Sequence, residues 1–405
     1  MIKNQAEAEK TNQTKTEQNL DITILCKVVD NFGDIGFVYR LARAISDLEK
    51  KAKIRIVADN LKSFSLLCPE IDPSKDEQTA NGWKIFSWNA EKTCLEHFRK
   101  NPPEIILECF QCGRPEWLEN LLFAEKIPNI AHIIMIDYLT AEPYAETFHK
   151  LKSLTRSARV QKVNFMPGFT GKTGGLVLDK PFISALKNRT AENVENPGES
   201  FSFNVLFFGY PRDYSPVIAA LQKFNRKFIK ENYGNKQNLN VLLAKGAGFE
   251  SFCSAYKNAA QDEKDLFALK ELPFLSQIEW DALLAKTPLL FIRGEDSLSR
   301  ACLCGVPFVW HAYPQSEEYQ LVKVNALLER MSVHFSAEDF KAVEDCWRLY
   351  NTTGAPQKSV ENALNNFLQS YEKLRGGFKD FSNSLLENGD LAEHLLEFIE
   401  TQSFE

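Results

Sequence analysis

Short apolar runs alternate with helix-period patterns twice along this chain, and that alternation is the mark of parallel sheets covered by helices on both faces. In the first half the runs are Ile22–Val29, Ile54–Val57, Lys84–Phe86, Ile105–Cys109 and Ile130–Ile136, with a helical pattern opening near Phe37 and running to Lys50. In the second half Phe203–Phe208, Val241–Ala244, Leu289–Arg293 and Pro307–Trp310 are expected as strands. Helical patterns are expected between them at Ser215–Lys230, Phe249–Asn258, Trp280–Lys286 and Ser297–Cys304. Both halves therefore read as α/β, Rossmann-like units. At 405 residues the chain is too long for one ordinary core, which agrees with two domains.

The polar stretch 187–200 (KNRTAENVENPGES), with its Pro-Gly pair, is the expected linker. The chain then divides into an extension at 1–20, a first domain at 21–186, the linker, a second domain at 201–375 and a helical closing segment at 376–405 that could cap either domain. Met1–Leu20 is polar and charged, lacks the apolar run of a secretory signal, and has the composition of a disordered extension. No later apolar run approaches the length of a membrane span. A net charge of -6 gives no support to a nucleic-acid or membrane partner, since both favour a basic patch. The nine cysteines are odd in number and often sit in apolar segments, as Cys26, Cys253 and Cys302 do, which fits reduced thiols in a cytoplasmic protein. Cys109-Phe110-Gln111-Cys112 has C-x-x-C spacing, but no second pair stands at zinc-finger distance, so packing is its expected role. No histidines have metal-binding spacing, and His149 and His311 are expected to be structural.

Two strand-turn-helix junctions carry the candidate chemistry. The first, Val29-Asp30-Asn31-Phe32-Gly33-Asp34-Ile35-Gly36, places two carboxylates and the N–H groups of a helix start at the carboxyl edge of a sheet. Its glycines do not follow the G-x-G-x-x-G spacing, and an ordinary capped turn is the competing account. The second, Leu289 to Ala301, sets Arg293 beside a helix start at which Ser297 is a cap or first-turn residue. The competing account here is a capped helix whose Arg293 pairs with Glu295 or Asp296. Aromatic residues at strand ends, Phe208, Tyr210 and Phe274, either stack on a nucleobase or pack in the core. Taken together, two such turns in two Rossmann-like halves imply a nucleotide diphosphate ligand.

These residues resemble the EarP family of bacterial protein-arginine rhamnosyltransferases. The resemblance lies in Asp30-Asn31-Phe32-Gly33-Asp34-Ile35-Gly36, Glu108-Cys109-Phe110-Gln111-Cys112, Tyr138-Leu139-Thr140-Ala141-Glu142, Pro167-Gly168-Phe169-Thr170 with Thr173-Gly174-Gly175-Leu176, and Arg293-Gly294-Glu295-Asp296-Ser297. It implies a GT-B fold, with an acceptor-binding first domain and a donor-binding second domain facing a central cleft. It also implies inverting, metal-independent transfer from dTDP-β-L-rhamnose to an arginine of elongation factor P, which activates that factor to relieve ribosome stalling at polyproline, and no cofactor. The implied catalytic carboxylates are Asp34, with Asp30 in support, and Glu295. The implied donor contacts are Tyr210, Phe274, Gln277, Arg293, Asp296 and Ser297, with Asn31, Phe32 and Gly33 closing over the sugar. The chain departs from the family at Pro211-Arg212, where a Glu-Asn pair is expected, and at Gln320, where His is expected. A GT-B transferase for a small or lipid-linked acceptor, and a silent nucleotide-sugar-binding protein, are the alternatives.

Overall fold

The computed structural model describes residues 20–29, 32–124, 130–195, 203–229, 239–262 and 266–402. The expected extension, Leu20 apart, lies outside them. The first half builds an eight-stranded sheet from β1 (Asp21–Cys26), β2 (Lys53–Ala58), β3 (Glu77–Ala80), β4 (Trp83–Ser87), β5 (Ile105–Cys109), β6 (Ala131–Ile136), β7 (Lys152–Ser153) and β8 (Val160–Phe165), in the order β3-β4-β2-β1-β5-β6-β8-β7. The edge strands β3 and β7 are antiparallel to their neighbours, and the strands between run parallel. The second half builds a parallel five-stranded sheet from β9 (Phe203–Phe207), β10 (Leu239–Leu243), β11 (Ala268–Glu271), β12 (Leu289–Arg293) and β13 (Phe308–His311), ordered β11-β10-β9-β12-β13.

Each parallel set runs outward from its first strand in both directions, as in Rossmann folds. The strand order therefore reverses between β1 and β5 in one sheet and between β9 and β12 in the other. Ligands in open α/β sheets bind outside the carboxyl ends of strands at such reversals. The turn after β1 and the turn after β12 stand at these two places. Two Rossmann-like domains facing each other across a cleft form the GT-B arrangement expected from the resemblance.

The helix after the first turn spans Gly33–Leu48 and buries Ile35, Val38, Leu41, Ala42 and Ile45, a helical stripe packed on the sheet. It starts earlier than the pattern from Phe37 indicated because Gly33 and Asp34 form its first turn. Strands β3, β7, β8 and β11 are additions to the sequence-based expectation. The polar content of β3 and β11 (Glu77, Gln78, Lys270, Glu271) fits edge positions, and that of β8 (Gln161, Lys162) fits a strand covered on its outer side only by the two-residue β7.

The expected linker is corrected over much of its length, since 187–195 continues the helix Lys180–Glu195; the Pro-Gly pair lies outside the described residues. Phe182 anchors that helix with no exposed surface. The expected boundary at 375 falls inside the helix Tyr371–Glu387, which packs into the core of the second domain. The chain then returns. Leu391, Ala392, Leu395, Phe398 and Ile399 of the last helix, Leu391–Gln402, join the first domain's core with Val163, Phe165 and Val177. No helix among the described residues is long and apolar enough to cross a membrane.

Leu395 is fully buried in this returning contact. Replacing it by Ala is expected to cost about 2–5 kcal/mol, seen as a lower urea midpoint by circular dichroism.

Candidate active site

On the first-domain side, the chain leaving β1 is held by the Val28 N–H, which donates to Asp59 Oδ1 at 2.8 Å. Asp34 then enters the cleft from the first turn of the helix, only 3% exposed, its Oδ2 accepting the Val29 N–H at 2.6 Å. The strand exit and the carboxylate thus fix one another. Asp30 and Asn31 lie outside the described residues. Phe32 precedes the helix without a side-chain capping bond, and its ring lies 5.5 Å from that of Phe274 across the cleft.

On the opposite side, Gly294 at φ +72 turns the chain from β12 into the helix Glu295–Cys304, a backbone conformation that favours glycine. Ser297 is the third residue of that helix rather than its cap. Arg293 is buried with its guanidinium 4.3 Å from the centre of the Phe208 ring and 4.6 Å from that of Tyr210. Its competing partners are otherwise engaged, Asp296 by Arg40 and Glu295 by Lys323. Phe208 also meets Trp280 edge-on at 5.2 Å. A cavity of about 160 Å³ opens here, lined by Phe32, Phe208, Phe274, Trp280, Arg293 and Ser297. Flat apolar walls beside a guanidinium and a helix N-terminus suit a base joined to phosphates.

A larger cavity of about 450 Å³ shares Gly33, Gly294, Glu295 and Asp296 with the first and is lined by Asp34, Phe37, Tyr138, Tyr210 and Lys323. Glu295 stands where the two meet. Burial pushes its carboxyl up to about 7; Lys323, at 3.4 Å, pulls it down, and the charge of Asp34 pushes it up. The Tyr138 hydroxyl is raised too, by burial and then by Asp34 and Glu295. Carboxylates from two domains thus share one electrostatic environment.

Asp296 and Gln277 line the smaller cavity as expected of donor contacts, but their hydrogen bonds are committed to the domain interface. Arg40, wholly buried on the helix that begins with Asp34, donates through Nε and Nη2 to the two oxygens of Asp296, both at 3.0 Å. The same guanidinium reaches Asp281 at 2.5 and 3.0 Å and Asp179 at 3.0 Å. Arg300 adds a bond to Asp179 at 3.2 Å, and Arg43 reaches both Asp179 and Gln277 at 2.9 Å. Gln277 in turn donates to the Gly36 carbonyl at 2.8 Å. Despite burial, Arg40 holds the Asp296 carboxyl below its usual range.

Arg40, Asp179, Asp281 and Lys323 were not among the site residues read from sequence. No local signal marked Arg40, which stands on the helix face opposite the stripe of Ile35, Val38, Leu41, Ala42 and Ile45, where a charged residue is ordinary. His311 accepts the Tyr210 N–H at 3.1 Å and is driven down to about 3 by burial, and His149 accepts the Met166 N–H at 3.2 Å. Both hold loops in place. Gln320, 2% exposed, bonds the Gln315 N–H at 3.0 Å and the Asn351 carbonyl at 3.1 Å, a structural use of that position. Burial raises the Cys109 and Cys112 thiols, which fits packing.

A cleft that opposes a buried carboxylate to a strand-to-helix turn bearing a guanidinium, across two Rossmann-like sheets, is the working geometry of GT-B glycosyltransferases, and the protein is of that class. The family model for Elongation-Factor P (EF-P) rhamnosyltransferase EarP matches residues 22–400, and the chain belongs to the EarP family. It is 27% identical over 402 residues to a protein-arginine rhamnosyltransferase of Shewanella oneidensis, covering 93% of this chain and 96% of that one. The corresponding protein of Neisseria meningitidis serogroup B is 28% identical over 394 residues, with the same coverages. A solved structure described as the structural basis for EarP-mediated arginine glycosylation of translation elongation factor EF-P aligns with a TM-score of 0.56, over 94% of this chain and 99% of that chain. At 19% identity that likeness bears on the fold.

Two outcomes follow from the charges. In a carbon-13 carboxyl titration, Asp34→Asn is expected to move the Glu295 midpoint below about 7, because removing a neighbouring negative charge makes ionisation easier. Arg40→Leu removes the guanidinium that Asp281 and Asp296 share with Asp179 and is expected to cost about 3–5 kcal/mol in thermal or urea unfolding.

Proposed function

We propose that this protein transfers L-rhamnose from dTDP-β-L-rhamnose to an arginine side chain of elongation factor P, inverting the anomeric carbon, and thereby activates that factor for relief of polyproline stalling. Membership of the EarP family and the names of its relatives support the acceptor and the sugar. The observation that carries the chemistry is the meeting of Asp34 and Glu295, from opposite domains, in one cavity.

Arginine is a reluctant nucleophile, since its guanidinium is charged and its lone pairs are delocalised. Carboxylates answer both difficulties by orienting the N–H fork and by accepting a proton as the bond forms. In this reading the acceptor nitrogen attacks C1 of the sugar, and the bond from C1 to the diphosphate oxygen breaks on the opposite face. The guanidinium proton passes to Asp34, which the Val29 N–H holds in orientation. The departing dTDP charge is met by Arg293 and by the helix N-terminus at Glu295–Ser297. Phe208, Phe274 and Trp280 enclose the base, and Phe32 with Phe274 covers it from both domains. Glu295 steadies the positive charge that develops on the sugar. Tyr210 acts through Arg293, whose guanidinium it supports. No metal is assigned a step.

Intact-mass spectrometry of unmodified elongation factor P incubated with the protein and dTDP-L-rhamnose is expected to show one added deoxyhexose on arginine. Asp34→Asn should slow this by about 10²–10⁴-fold while dTDP binding persists; turnover at the original rate would remove Asp34 from the base role. In calorimetry, Arg293→Ala is expected to weaken dTDP binding by about tenfold or more. Unchanged affinity would mean that the diphosphate sits elsewhere.

A further inference from the structure

The first turn of the helix Glu295–Cys304 carries two carboxylates at the place where a diphosphate is to bind. A helix N-terminus favours an anion, but acidic side chains in the same turn oppose it. Each of the two carboxylates meets a cation from a different element. Asp296 is gripped by Arg40, which is buried in the domain interface. Glu295 is met at 3.4 Å by Lys323, from the helix Gln320–Ser332. The two cations differ in setting: Lys323 is partly exposed and lines the larger cavity, so it can be altered without opening a buried ionic cluster.

We propose, on the donor reading given above, that Lys323 is a positioning residue for the transfer: by neutralising Glu295 it keeps the first turn of the donor helix attractive to a diphosphate, without itself contacting the donor. Glu295 is faced by Asp34 from the helix Gly33–Leu48, by Tyr138 and the Leu139 N–H from the segment after β6, and by Lys323. On its own element it adjoins Arg293 and Asp296, the latter held by Arg40. Asp34 and burial both oppose its ionisation, whereas Lys323 favours it. Without Lys323, Glu295 becomes a bare negative charge at high pH and a neutral acid at low pH. At high pH the loss of donor affinity must then be reversed when Glu295 is made neutral as well, which would not mend a packing defect.

The test is calorimetric dTDP binding at pH 6 and pH 8.5 by the unaltered protein, by Lys323→Met and by the double variant Lys323→Met/Glu295→Gln. Each variant is compared with the unaltered protein at the same pH, so that titration of dTDP itself cancels. Lys323→Met is expected to bind about tenfold more weakly at pH 8.5, where the double variant should recover affinity, and at pH 6, where Glu295 is largely neutral, the two variants should bind alike. A loss at pH 8.5 that the double variant does not rescue would mean that Lys323 acts on the donor directly or on the fold, and would overturn the proposal, as would no loss at all. If the unaltered protein fails to bind dTDP, the donor reading falls first and the role of Lys323 falls with it.

Discussion

The fully buried guanidinium of Arg40 organises the relation between the two domains. It bonds Asp179 from the first half of the chain and Asp281 and Asp296 from the second, and Arg43 and Arg300 complete a cluster in which three positive side chains face three negative ones. Charges removed from water are tolerated when their hydrogen-bonding capacity is met, and bidentate pairing gives them direction as well as energy. Arg40 lies on the helix that starts with Asp34, and Asp296 lies in the turn that follows Arg293. The cluster therefore ties the turn after β1 to the turn after β12 through a few bonds of defined length.

That coupling explains how the labour is divided around the cleft. Asp296 and Gln277 engage the interface, leaving Arg293, Ser297 and the aromatic walls to face the smaller cavity. Glu295, one residue from Asp296, is placed where the cavities join and under the influence of Asp34 across the cleft. An ion pair built into the interface thereby sets the spacing of two carboxylates that belong to different sheets.

Much of this was legible in the sequence. Continuous apolar runs such as Ile105–Cys109 and Leu289–Arg293 became strands with those bounds, because buried parallel strands need apolar residues on both faces. The turns around Asp34 and Arg293 stood out because each ends such a run and opens a helix. What stayed hidden was set by partners distant in sequence. Nothing local distinguishes Asp281 in its helix from a solvent-facing acid, and it is buried because Arg40 arrives from 241 residues away. The part of the helix Lys180–Glu195 from residue 187 on read as linker because it is polar and a Pro-Gly pair follows it, whereas the helix's buried anchor, Phe182, lies earlier in the chain. Lys323 escaped notice as Asp281 did, since its partner Glu295 lies on another helix of the same domain.

The return of the last helix to the first domain also governs the order in which the protein can be completed during synthesis. Val163, Phe165 and Val177 are made before the second domain, but the side chains that cover them, from Leu391 to Ile399, are made after it. A nascent chain can form the second sheet's core while the first sheet still shows water an apolar face. The half of the cleft that carries Asp34, though translated before the half that carries Arg293, is thus sealed after it, and a chain cut short before the helix Leu391–Gln402 would carry both signature turns on an unfinished core.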